Sequence, residues 1–192
     1  MKQEELSRKR KEQMAASLKK LMAKKSLQKI TIQELADDCG INRYTFYYHF
    51  QDIYDLLSWT LQQDAAPLFY RSESSLTWVD RLRVFLHNIR ENAPVYKCVL
   101  NSLAYETLRT MFSQEASQLV EAYLLDEKGN SQISGQYFSF LRDFYTSAFS
   151  GLLLEWIRRD LDLSEETIIN YLSTILDGTV QTIIQRAEKE GL

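Results

Sequence analysis

The chain has 192 residues, 45% hydrophobic and 26% charged, with only 6 glycines and 2 prolines. That balance excludes extended disorder and predicts one compact domain, or a small domain joined to a larger one, built from helices. The net charge of −3 alone argues against a polyanion partner, but it is unevenly divided: residues 1–50 carry 11 Lys/Arg against 6 Asp/Glu, and the rest carry 12 against 20, so a polyanion would meet the N-terminal end and be repelled elsewhere.

The first predicted helix covers about residues 3 to 25, with Leu6, Met14, Leu18, Leu21 and Met22 as its apolar stripe and a lysine-rich wet face. A second, short helix is expected over about residues 32 to 38. Thr31 and Glu34 have the spacing of a capping box, Ile30 and Leu35 that of a hydrophobic staple, and Gly40 supplies the left-handed residue that ends it. Asn42 caps a third helix running to about His49, and Asp52 caps a fourth containing "YDLLSWTLQQ". Two short helices joined by a tight turn at "CGI" and framed by longer ones make a helix-turn-helix arrangement.

Beyond it, "RSESSLT" reads as a loop whose last residue, Thr77, caps a helix with Val79, Leu82, Phe85, Leu86 and Ile89 inward. Pro94 opens one or two further helices, and "DEKGNSQISG" reads as the next loop. A long helix follows over about residues 135 to 159, and Ser164 caps a last one with Ile168, Leu172, Ile175, Leu176, Thr179 and Ile183 at helical spacing. The total is about nine helices.

Several chemistries find no support. No apolar run approaches the roughly 18 residues that span a bilayer, and "MKQEELSRKRKEQ" has no apolar secretory core, so the expected location is the cytoplasm, without membrane contact. Cys39 and Cys98 read as free thiols, and with His49 and His87 they do not form a metal-ligand pattern. No Ser/His/Asp set, phosphate-binding glycine loop or HExxH motif is present; neither an enzyme nor a cofactor is expected.

The stretch "INRYTFYYHF", residues 41–50, carries the functional reading. On a helix, Ile41, Phe46 and Phe50 fall toward the core, while Arg43, Tyr44, Tyr47 and Tyr48 fall elsewhere and offer hydroxyls and a guanidinium. That chemistry suits phosphate oxygens and base edges. It also suits a protein partner docked on a tyrosine-rich face.

The segment "KITIQELADDCGINRYTFYYHFQDIYDLL" resembles the DNA-binding domain of TetR-family transcriptional regulators. The matching residues are Thr31, Leu35, Ala36, Gly40, Ile41, Thr45, Phe46, Tyr47, His49 and Phe50. The resemblance implies phosphate contacts from Thr31, Thr45, Tyr47 and His49 and base reading by Arg43 and Tyr44; Asn42, Tyr48 and Lys29 complete the candidate set. Ile53 stands where the family often has a phosphate-binding lysine, leaving that contact to Lys29 or Tyr54, and Cys39 replaces the usual alanine before the glycine. A fainter likeness, in "LLSW" and "GLLLEWIRRD", is to the subgroup that includes activators of dihydroxyacetone kinase operons.

The resemblance implies a helix-turn-helix domain at 1–51 and a helical regulatory and dimerisation domain at 52–192. It also implies a double-stranded DNA operator, a small-molecule effector or coactivator protein, and a switch in which an effector moves the fourth helix. "FLRDFYTSAFSGLLLEW" is apolar around most of its circumference, with small residues Ala148, Ser150 and Gly151, as expected of a helix packed in a homodimer. Trp78, Phe85, Tyr96, Tyr105, Phe112, Tyr137, Phe138, Tyr145 and Trp156 are the aromatics available to line an effector pocket, each equally fit for ordinary core. The alternative function is a helical interaction module using the tyrosine-rich face of the third helix.

Overall fold

The computed structural model describes residues 2–70, 77–102 and 105–192. Its regular elements are all helical: α1 (Lys2–Met22), a 3-10 turn (Leu27–Lys29), α2 (Ile32–Cys39), α3 (Arg43–His49), α4 (Ile53–Tyr70), α5 (Trp78–Glu91), α6 (Ala93–Leu100), α7 (Tyr105–Lys128), α8 (Gly135–Arg158), α9 (Glu165–Leu176) and α10 (Thr179–Glu190). The chain divides into two compact units, Met1–Pro67 with Glu91–Leu108, and Leu68–Arg90 with Arg109–Leu192.

The first unit is built on Met14, Leu18, Leu21 and Met22 of α1, which are buried together with Leu27, Ile30, Leu35, Phe46, Phe50, Leu56, Leu57 and Leu61. Tyr96 and Val99 of α6 are buried in the same unit. Polar contacts join α1 and the turn after it to α2: Ser17 Oγ donates to Asp38 at 2.8 Å, Lys20 pairs with the same carboxylate, and Lys25 in the turn pairs with Glu34. The lysine beside Asp38 and the Ser17 hydroxyl hold that carboxyl below its ordinary range.

Half of the expected capping box at α2 is formed. Thr31 Oγ accepts the Glu34 N–H at 3.2 Å, but the Glu34 carboxylate turns to Lys25 rather than back to the Thr31 amide. The opposite end follows the Schellman pattern. Gly40 is left-handed at φ 64°, the Ile41 N–H donates to the Ala36 carbonyl at 2.9 Å, and the Gly40 N–H to that of Asp37 at 3.2 Å. Asp52 caps α4 as expected, accepting the Asp55 N–H at 2.9 Å, and Asp55 accepts from the Gln51 amide in return.

In the second unit Thr77 and Asp80 form a reciprocal box at the start of α5: the Asp80 N–H donates to Thr77 Oγ, and the Thr77 N–H and hydroxyl donate to Asp80. Leu82, Phe85, Leu86 and Ile89 are buried as the spacing predicts, whereas Val79 is half-buried. Phe85 meets Phe112 edge-on at 5.8 Å. A second cluster gathers Tyr123, Leu124, Leu141, Val180 and Ile184. Arg83 pairs with Glu166 at 2.9 Å and Arg90 with Glu165 at 3.1 Å, joining α5 to α9. Arg90 also lies over the Trp156 ring, and both donate to the Leu163 carbonyl.

Three boundaries differ from the expected ones. α1 ends at Met22, and Ala23–Lys25 turn out of it. Asp126–Lys128, read as loop, extend α7 by another turn. The last expected helix is two, because Gly178 is left-handed at φ 72° and separates α9 from α10. The apolar period continues across that break, so periodicity alone does not reveal it. The "RSESSLT" loop lies, except for Thr77, outside the described residues.

A Cβ at Gly40 would meet no atom within 4 Å, so this glycine is required for its backbone angle alone. Gly40→Ala is expected to cost about 1–2 kcal/mol. Hydrogen-exchange mass spectrometry should show amides of α2 and α3 exchanging roughly 5–30-fold faster.

Candidate nucleic-acid interface

The orientation of α3 is set by Phe46 within it and by Phe50 at its C-cap. Phe46 is fully buried and Phe50 almost so; their rings pack at 6.1 Å, and Phe50 meets Trp59 at 5.9 Å. Ile41, expected with them, is half-buried. With one side of a seven-residue helix pinned, the opposite side faces water. Tyr44, Tyr47 and Tyr48 are 81%, 49% and 73% exposed and share a face through i, i+3, i+4 spacing. Arg43 is exposed and makes no ion pair or side-chain hydrogen bond among the described residues. His49 is half-buried, its ring edge-on to Tyr48 at 5.0 Å.

Asn42 begins the helix. Its Oδ1 accepts the Thr45 N–H at 2.8 Å and the Thr45 hydroxyl at 2.9 Å. Thr31 is exposed, and since its Oγ accepts the Glu34 amide, its own proton remains to be donated.

The cations sort by whether the fold already uses them. On α1, Lys9 pairs with Glu5 at 3.2 Å, Arg8 with Glu12 at 3.5 Å, and Arg10 donates to Gln13. Lys11 lies over the Phe50 and Trp59 rings at 5.4 and 5.9 Å. Lys20 and Lys25 are held by Asp38 and Glu34. Lys29 is exposed and, like Arg43, unpaired among the described residues; so is Lys24, which sequence reasoning left among the solvated lysines. Its only sequence signal was its place at the end of the basic run; Lys25, its neighbour in that run, is held by Glu34.

The second unit carries two further features. A cleft of about 390 Å³ is lined by thirteen residues including Trp78, Tyr123, Phe144, Tyr145, Ala148, Leu152 and Ile175. Of the aromatics available for a pocket, Trp78 and Tyr145 line it, while Phe85, Phe112 and Trp156 are buried core, as is Tyr96 in the first unit. Phe140, Phe144 and Leu152 on α8, with Tyr171 and Ile175 on α9, are exposed large apolar side chains, and three of these five also line the cleft.

Comparison with known proteins fits this arrangement. Residues 16–58, which hold the end of α1 and the whole helix-turn-helix, match the model described as "Bacterial regulatory proteins, tetR family", and residues 77–178 match "Transcriptional regulator C-terminal region". The chain belongs to the TetR family. Membership supports a DNA-binding transcriptional regulator rather than a helical interaction module. This TetR-family regulator is 24% identical over 163 residues, 83% of its own length and 86% of the relative's, to the HTH-type dhaKLM operon transcriptional activator DhaS of Lactococcus lactis subsp. lactis (strain IL1403). Its fold is similar to that of a solved dihydroxyacetone kinase operon activator DhaS, with a TM-score of 0.74 at 21% identity over 93% of this chain and 97% of that one. The fatty acid degradation regulator FadR from Bacillus halodurans is similar at a TM-score of 0.60 and 11% identity, over 91% and 93% of the two chains. Among the described residues, no helix of the regulator is long and apolar enough to cross a membrane.

Burial lowers the pKa of His49 from its ordinary 6.5, and the nearby charges of Lys11 and Arg10 lower it further. The unfolded chain therefore binds the proton first as pH falls. Stability should be fully present above about pH 6.5 and decline as pH drops from there through the depressed folded value. His49→Gln should flatten that part of the curve in urea unfolding measured at stepped pH.

Proposed function

We propose that this regulator binds a near-palindromic operator as a homodimer, with α3 of each copy in the major groove. The observation that carries this reading is the single exposed face of Tyr44, Tyr47 and Tyr48 beside an unpaired Arg43, near a basic segment in which Lys24 and Lys29 are also unpaired. Arg43 and Tyr44 read bases; Lys29, Thr31, Tyr47, Tyr48 and His49 contact the backbone. Lys29 and Lys24 take the place of the lysine that Ile53 displaces. Residues 1–51 form the reading domain, and residues 52–192 serve dimerisation and regulation.

The exposed stripe on α8 and α9 supports the dimer. Apolar side chains of this size on two neighbouring helices are what a second copy would cover in a four-helix interface, and the exposed Ala148 and Gly151 leave room for close approach. Two reading heads would then meet half-sites roughly 34 Å apart. The regulator acts in the cytoplasm, performs no catalysis, and answers to a small molecule or a coactivator protein. The DhaS relative is an operon activator, and that likeness supports activation as the role to test ahead of repression.

The deciding experiment is selection of duplexes from a random pool at two salt concentrations. A near-palindrome whose binding weakens steeply with salt is expected; no enrichment at either salt would remove the operator reading. On the selected duplex, Tyr47→Ala should weaken binding to all sequences alike, and Arg43→Ala should lose about 1–3 kcal/mol of discrimination at one position. Phe144→Glu should convert the dimer to monomers in sedimentation equilibrium, and an unchanged mass would remove α8 from the interface.

A further inference from the structure

The cap of α3 distinguishes two residues that the family resemblance treats alike. Oδ1 of Asn42 has two lone-pair positions, and both are taken: the Thr45 N–H donates at 2.8 Å and the Thr45 hydroxyl at 2.9 Å. The backbone amide can only donate, so the oxygen of the Asn42 amide must be the atom that faces it. The hydroxyl, facing an oxygen that can only accept, must also donate. Thr45 has one hydroxyl proton, and in this arrangement it is committed to Asn42. A DNA phosphate offers acceptors only, so Thr45 has nothing left to give it. Thr31 differs, because its hydroxyl accepts from Glu34 and keeps its proton.

The same two bonds fix the Asn42 amide, leaving its NH2 group on an exposed residue with both protons free. An asparagine that reads adenine uses its oxygen and its nitrogen together. Here the oxygen is saturated, so only acceptor partners remain.

We propose that Asn42 Nδ2 donates to a DNA phosphate and that Thr45 is a positioning residue which holds that amide in place. The inference rests on α3 being the DNA-reading helix. It replaces the direct phosphate contact that resemblance implies for Thr45 and assigns the atom and the partner through which Asn42, already a candidate, meets DNA.

The test is a double-mutant cycle on a selected operator duplex, read as dissociation constants and as interference by ethylated phosphates. Asn42→Ser keeps a capping oxygen without adding charge and replaces the two NH2 protons by one hydroxyl proton on a side chain shorter by one heavy atom; Thr45→Val keeps the backbone donor and the side-chain shape but removes the hydroxyl. Asn42→Ser should weaken binding about 10-fold or more, equally for all sequences, and abolish interference at one phosphate per half-site. Thr45→Val should weaken binding by a smaller factor and retain that interference, and Thr45→Ser should restore wild-type affinity. In the Asn42→Ser background, Thr45→Val should add no further loss. Multiplying losses, or a phosphate whose interference disappears with Thr45→Val alone, would overturn the proposal. If Tyr47→Ala and Arg43→Ala both leave affinity unchanged, the DNA-reading assignment of α3 fails and this inference with it. Circular dichroism melts of each variant show whether α3 remains formed.

Discussion

The burial of Phe46 and Phe50 is the constraint from which the exposed face of α3 follows. Two aromatic side chains four residues apart fix the rotation of a helix only seven residues long, and the neighbouring positions are then exposed by geometry. Large exposed aromatics are normally a cost in water. Three tyrosines on one face, each with an apolar ring and a polar tip, fit a partner that is itself part apolar and part polar, as a DNA groove is. Truncating either phenylalanine would therefore affect recognition through the rotation of α3, apart from the stability lost with the core contact.

Electrostatics refine this picture. The N-terminal basic segment looks uniform in sequence, yet most of its charge is answered inside the first unit, by Glu5, Glu12, Asp38, Glu34 and the rings of Phe50 and Trp59. Exposed pairs of this kind contribute little stability individually, but each lowers the net field at its lysine or arginine. Where no carboxylate forms an ion pair among the described residues, at Lys24, Lys29 and Arg43, more of the field is available to a polyanion. His49 belongs to the same logic: burial first, and then the neighbouring Lys11 and Arg10, lower its pKa and favour the neutral ring, which can offer a phosphate an N–H without adding charge.

The second unit is organised differently. The exposed Arg83–Glu166 and part-buried Arg90–Glu165 pairs, with the Trp156 and Arg90 bonds to the Leu163 carbonyl, anchor the start of α9 against α5. The unit's exterior leaves Phe140, Phe144, Leu152, Tyr171 and Ile175 in water, and part of that stripe also forms the wall of the apolar cleft. Surface and cavity therefore share side chains, so a molecule in the cleft and a protein on the stripe would meet some of the same atoms.

Local chemistry settled much of this in the sequence. The caps at Thr31, Asn42, Asp52, Thr77 and Ser164 were legible because a hydroxyl, carboxylate or carboxamide oxygen accepting from the backbone N–H three residues on depends on a few adjacent residues. The left-handed Gly40 was legible for the same reason, and so was the inward side of α3, since Phe46 and Phe50 stand four residues apart, although Phe50 proves to be the extended C-cap and not part of the helix. The break at Gly178 was not, because a glycine within an unbroken apolar period is equally compatible with a continuous helix. Which lysines remain free, which aromatics line a cleft rather than fill a core, and which way the Asn42 amide points were decided only in three dimensions. Each depends on a partner distant in sequence or on the competition of several donors for one acceptor. Lys20 needed Asp38, Lys25 needed Glu34, and Trp78 needed α8 and α9, and no spacing along the chain contains those meetings.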